Sequence, residues 1–209
     1  MSLGIQLDKF WSWAEVTPAQ YASGLMPSKN LPVEWETYYP DWIRLEKSFW
    51  KELEQYKRDS DSERLTSILE FVGIDNESGN ALDELIKLYR TQRDFVRLAY
   101  KFYMPQTRWQ IAEFLRESDI SNKISLLEEM ISFDEDKYVQ RIALLALADV
   151  SAERACEHAY KKLIDDDEYL RLVSLRILKE CNSKYLFEAV KILKDDASKL
   201  IQEELFGIN

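Results

Sequence analysis

The side chains best suited to chemistry in this sequence are carboxylates, and they recur. Asp134-Glu135-Asp136, Asp165-Asp166-Asp167-Glu168 and Asp195-Asp196 each stand in a short polar stretch between two helix-patterned segments. On one edge of a repeating structure, about one helix spacing (~10 Å) apart, they would form an acidic ridge that meets lysine and arginine side chains and speeds encounter. The plainer reading is capping plus solvation, because an aspartate before a helix satisfies orphan backbone N–H groups and suits the positive end of the helix dipole. Both readings stand together. A calcium loop fits poorly, since the ligand alternation and central glycine of an EF-hand are missing. Carboxylates are too common in this chain for any pair to single itself out for acid–base catalysis.

Other reactive residue types are sparse. His158 is the only histidine. Its neighbours Ala155, Cys156, Ala159 and Leu163 form the apolar face, so His158 is expected to point outward, without the companions of a metal site or a nucleophilic triad. Cys156 and Cys181 are the only cysteines; both read as small buried hydrophobes in helices, neither a disulfide framework nor a zinc pair. Glycines at 4, 24, 73, 79 and 207 build no phosphate-binding loop. No metal, cofactor or catalytic group is therefore assigned, and the expectation is a protein that is not an enzyme.

Aromatic residues form the second conspicuous group. Trp35, Tyr38, Tyr39, Trp42, Phe49 and Trp50 lie close together, and Trp and Tyr are favoured interface anchors. Trp42 and Phe49 share a stripe with Leu45, Leu53 and Tyr56 at steps of three and four, so these two are expected in a core. Trp35, Tyr38 and Tyr39 lie in a proline-flanked segment without helical spacing. For those three, docking and core readings both remain open.

The elements that position these groups read as helices. The chain has 209 residues, 46% apolar and 12% aromatic, enough to build a core. Four of five prolines (18, 27, 32, 40) and five of six tryptophans fall in the first fifty residues. That opening reads as irregular, with a helix start at Thr17-Pro18 and a loop over 24–32. A helix follows over 40–58 and a second over 62–72, ended by Gly73 as a left-handed terminator. Residues 74–80 read as a loop. Nine helices then follow near 81–91, 93–103, 106–117, 122–132, 136–149, 152–164, 168–181, 183–194 and 197–206, joined by short polar turns. The division is a Trp-rich, partly irregular N-terminal cap over 1–80 and helical repeats over 81–209, packed as one unit.

Within the second part the pattern repeats. Asp136-Lys-Tyr-Val139-Gln140-Arg-Ile-Ala143-Leu-Leu-Ala146-Leu147 returns 31 residues later as Asp167-Glu-Tyr-Leu170-Arg171-Leu-Val-Ser174-Leu-Arg-Ile177-Leu178. A period of this size with two helices per unit signals an all-α solenoid of antiparallel helix pairs. Alanines at 143 and 146 allow close approach, and Leu147, Leu163, Leu178 and Leu193 fill the layers. Leu200, Ile201 and Leu205 are expected to shield the far end.

These units resemble HEAT repeats, whose first helix commonly opens Asp-x-x-Val-Arg-x-x-Ala-x-x-Ala-Leu. Asp136, Val139, Ala143, Ala146 and Leu147 match in the first copy, with Gln140 where the family has arginine; Asp167 and Arg171 match in the second. The resemblance covers roughly residues 81–206, with 105–133 a weaker copy and Asp94-Phe-Val-Arg97 a hint of another. The family's usual inter-repeat proline is missing. The resemblance implies a HEAT-like solenoid that works through its surface. Its inner face would be lined by the second helices, with Arg154, His158, Lys161 and Tyr185 among the residues offered.

Charge narrows the partner. The formal charge is −10, with 13 basic and 17 acidic residues up to 105 and 15 and 21 beyond. Repulsion from phosphates weighs against nucleic acid and anionic membrane surfaces. The expectation is a non-enzymatic protein-binding module whose complementary partner is a basic protein. One version is an immunity- or inhibitor-type protein that neutralises a basic toxin or nuclease. The enzyme alternative is a HEAT-like DNA glycosylase or another HEAT-like enzyme, which the net charge opposes. With no signal-peptide pattern and no long apolar run, a cytoplasmic location is expected.

Overall fold

A computed structural model describes residues 2–25, 27, 35–75, 79–89 and 93–208, apart from the side chains of residues 37, 93 and 94. Most of the expected loop 24–32, the middle of loop 74–80 and the Asp94 side chain thus lie outside the described residues. Among the described residues the fold is all-α. The helices are α1 (Leu3–Ala14), α2 (Pro18–Ala22), α3 (Trp42–Asp59), α4 (Ser62–Ile74), α5 (Asn80–Tyr89), α6 (Arg93–Ala99), α7 (Pro105–Glu117), α8 (Lys123–Phe133), α9 (Lys137–Val150), α10 (Ala152–Lys162), α11 (Glu168–Glu180), α12 (Leu186–Leu193) and α13 (Lys199–Phe206), with a 3-10 turn over Trp35–Tyr38. No helix among them is long and apolar enough to cross a membrane. The chain forms two compact units, Met1–Ile111 and Ala112–Asn209, so the first runs past the compositional seam at 80/81 into α7.

The first unit begins with a helix where the sequence reads as irregular. Leu3, Leu7, Phe10, Trp11 and Ala14 recur at helical steps and are all buried, so Leu3 belongs to the core. The Leu3 N–H donates to buried Glu52 at 3.2 Å, which also pairs with Arg64, so one carboxylate anchors the start of α1 to α3 and α4. Thr17 and Gln20 exchange hydrogen bonds as a capping box and start α2 as expected. Phe10 stacks on Trp35 with centroids 5.6 Å apart and meets Tyr39 edge-on at 5.3 Å. Gly73 does not terminate α4, which runs on to Ile74. Its role is close approach: a Cβ there would lie 2.7 Å from Thr107 Oγ1. Thr107 Oγ donates to the Leu69 carbonyl at 2.8 Å and Gln110 Nε2 to that of Val72 at 2.5 Å, tying α7 to α4.

In the second unit the repeat governs helix placement. α9, α11 and α13 start at 137, 168 and 199, one period apart, so the copy extends to a third member. α9 packs on α8, α10 and α11, and α11 packs on α10, α12 and α13. Val139, Leu170 and Ile201, at equivalent positions, are fully buried, as are Ala143, Leu147, Leu163, Leu178 and Leu193. Leu200, expected as an end shield, is instead exposed. Cys156 is buried, but Cys181 caps the end of α11 and is exposed, correcting the reading of both as buried.

Candidate functional site

The acidic series divides into carboxylates that build the turns and carboxylates that face outward. Asp136 and Asp167 cap α9 and α11, their Oδ1 atoms accepting from the N–H of Val139 at 3.0 Å and Leu170 at 2.6 Å. Two residues earlier, Asp134, Asp165 and Asp196 accept from the N–H of Asp136 (2.9 Å), Asp167 (3.1 Å) and Ser198 (2.9 Å). A third fastening recurs at the same period: Gln140, Arg171 and Gln202 reach back to the carbonyls of Asp134 (2.6 Å), Asp165 (2.9 Å) and Asp196 (2.9 Å). Two of these fastenings thus recur in all three turns with different side chains, while the capping bond is made by Asp136 and Asp167 but not by Ser198.

Ion pairs link successive turns. Lys137 donates to Asp165 at 2.7 Å and lies 3.1 Å from Asp166, while Lys162 approaches Asp165 at 3.6 Å. Burial alone would raise the Asp165 carboxyl, but the bonds from Lys137 and the Asp167 N–H outweigh it and carry the pKa to about 2. The Arg171 guanidinium holds Asp196 below the usual carboxylate range, against the opposing effect of burial. Asp165 and Asp196 are only 11% and 8% exposed, so both are occupied in holding the unit together. Glu135, Asp166 and Asp195 remain on the surface, Asp166 and Asp195 beside Lys137 and Lys194.

Apolar groups accompany the outward carboxylates, and these were missed in the sequence. Phe133 and Ile164, one period apart, are each 79% exposed. Tyr138, Tyr169 and Leu200 share another repeated position and are 44%, 46% and 40% exposed. The Arg141 guanidinium lies 5.1 Å from the Tyr138 ring centroid and 5.0 Å from that of Tyr169. The signal was present in the 31-residue spacing of Tyr138 and Tyr169, but burial had to be known before the pair meant anything.

The remaining candidates separate. On α10, Arg154 donates to Glu128 of α8 at 2.6 Å and to Glu157 at 2.7 Å. His158 does not point freely outward: its side chain is largely covered, with Nε2 3.4 Å from Glu128. Burial holds the His158 pKa below the ordinary value, with Glu128 acting in the opposite sense. Lys161 is exposed, and Tyr185 stacks on Tyr160 at 4.7 Å. Trp35 and Tyr39 are buried in the first unit, whereas Tyr38 is exposed. Phe49 is fully buried and Trp42 packs 5.7 Å from Phe71. Among the described residues no group of His, Cys, Asp or Glu side chains is arranged to hold a metal ion. No protein-family model matches the chain, and no match to it emerges among curated proteins.

Proposed function

We propose that the chain is a non-enzymatic, HEAT-like protein-binding module that docks a basic protein along the turn edge of its second unit. The observation that carries this reading is the recurrence, at one period, of outward carboxylates beside exposed apolar side chains. Glu135 and Asp166 repeat with Tyr138 and Tyr169, and Phe133 with Ile164. Exposed apolar groups ringed by charge suit a surface that is covered in use. The net charge of −10 favours a basic partner and fast encounter. Antiparallel helix pairs stacked as a solenoid would set such turns side by side on one edge.

The glycosylase alternative draws less support. Lys137, Lys162 and Arg171 on this edge already bond to Asp165, Gln140 and Asp196, leaving them ill placed to line a phosphate-binding groove. The test is affinity capture from native lysate at low and high salt, comparing the wild type with the triple variant Glu135→Gln, Asp166→Asn, Asp195→Asn. A basic partner retained by the wild type at low salt and lost by the variant supports the reading. A partner held equally by both proteins at both salts rejects this edge.

A further inference from the structure

The two cysteines of the chain meet in the second unit, on elements that pack together. Cys156 lies on the face of α10 that also buries Ala155 and Ala159, and α10 packs on α11. Cys181 directly follows α11, and a closed set of bonds holds its backbone. Its own N–H donates to the Ile177 carbonyl at 3.0 Å, while those of Asn182 and Ser183 return to Lys179 at 3.0 Å and Leu178 at 2.9 Å. Asn182 takes the left-handed conformation, φ 45°, that such a helix end favours. The Cys181 side chain therefore leaves a fixed backbone rather than a wandering loop, and it lies in contact with the Cys156 thiol.

A second contact keeps the same register. Tyr160, one turn beyond Cys156, stacks on Tyr185, four residues beyond Cys181, with centroids 4.7 Å apart. The two contacts share one sequence offset and together pin the 181–185 turn along α10, so the thiols sit side by side because the helices do. Their exposure differs: Cys181 is open to solvent and Cys156 is covered. That asymmetry suits a two-step oxidation in which Cys181 meets the reagent and Cys156 closes the bond.

We infer that Cys156 and Cys181 form a reversible disulfide site, closed by a small-molecule disulfide such as oxidised glutathione, which staples α10 to the end of α11. The Cys181 thiolate attacks one sulfur of the reagent, a mixed disulfide forms, and one glutathione thiolate leaves. The Cys156 thiolate then attacks the Cys181 sulfur and displaces the second glutathione. Two protein thiols give up two protons and two electrons, and the reagent is reduced to two thiols. Burial, and then the neighbouring thiol, raise the Cys181 pKa, so the first step quickens as pH rises. The site lies at the opposite end of α11 from the Asp165–Asp167 turn, and the inference does not depend on the docking reading.

The test equilibrates the reduced chain in glutathione redox buffers, folded and in urea, and maps the products by non-reducing peptide mass analysis. A peptide pair joined through Cys156 and Cys181 is expected, cleaved by dithiothreitol. The folded chain should keep that bond against roughly tenfold or more reductant than the unfolded chain. The closed form should unfold about 5 °C or more above the reduced form. Cys156→Ser should stop with glutathione carried on Cys181, and Cys181→Ser should leave Cys156 unmodified. A folded chain that holds the bond no better than the unfolded one, that carries glutathione on Cys181 without closing, or that links only to a second chain through Cys181 would overturn the inference.

Discussion

Arg171 grips Asp196 with both arms of its guanidinium, Nε to Oδ2 at 2.7 Å and Nη2 to Oδ1 at 2.9 Å, while Nη1 donates to the Asp165 carbonyl at 2.9 Å. One side chain thus ties the turn before its own helix to the turn that opens the next copy. A lysine could match the charge but not the geometry of three directed bonds.

Arg171→Lys should therefore lower unfolding free energy by about 1–2 kcal/mol, and Arg171→Met by about 2–3 kcal/mol, because Asp196 is left covered without its partner. Urea denaturation of Arg171→Met, Asp196→Asn and the double variant completes a thermodynamic cycle. A coupling of about 1–2 kcal/mol is expected; strictly additive effects would mean that the pair contributes nothing beyond its separate parts.

Asp165 supplies a pH signature. Its folded pKa of about 2 lies below the ordinary 3.8, so the unfolded chain binds the proton first on acidification. The stabilisation is complete above 3.8 and is lost as pH falls toward 2. Allowing for solvent screening, it amounts to about 1–2 kcal/mol. Asp165→Asn should remove that stabilisation at neutral pH and flatten acid unfolding in the same window, as followed by circular dichroism; an unchanged acid limb would contradict the assignment.

Two glycine substitutions should move in opposite directions. Gly73→Ala places a methyl 2.7 Å from Thr107 Oγ1 and 3.1 Å from Met104 Cε, and should destabilise by about 1–3 kcal/mol. At Gly4 the nearest atom to a new Cβ is Ser67 Oγ at 3.7 Å, so Gly4→Ala should be neutral or stabilising by up to about 0.5–1 kcal/mol. Thermal unfolding of both variants distinguishes a packing role for Gly73 from a turn role.

The contrast between these glycines illustrates what could be read in advance. The 31-residue pattern located the starts of α9 and α11 because Asp136 and Asp167 precede apolar runs that only a helix buries on one side. Helix α1 was hidden because Trp11, Trp13 and the nearby prolines drew attention to irregularity rather than to the steps linking Leu3, Leu7, Phe10 and Ala14. Pairings such as Lys137–Asp165 and Arg171–Asp196 join residues 28 and 25 positions apart, and depend on the register of packed helices that no local pattern contains. Capping and docking were therefore indistinguishable for the whole acidic series, although the structure assigns different work to Asp165 and Asp166.

His158 gives a second pH test nearer neutrality. Burial depresses its pKa, Lys161 and Arg154 add to that, and Glu128 opposes it. The unfolded chain takes up the proton first as pH falls through about 6.5, so stability should decline below that value until the folded form also protonates. His158→Gln should flatten the stability profile between about pH 7 and 5. A profile identical to wild type would show that His158 protonates equally in both states.

The proposed docking edge is best tested by hydrogen exchange on the chain alone and with any basic protein that it captures at low salt. Slower exchange confined to 133–141, 164–171 and 195–201 is the expected footprint, weakening as salt rises. Protection centred on Tyr38 or on the Arg154–Lys161 face of α10, with the three turns unchanged, would contradict it.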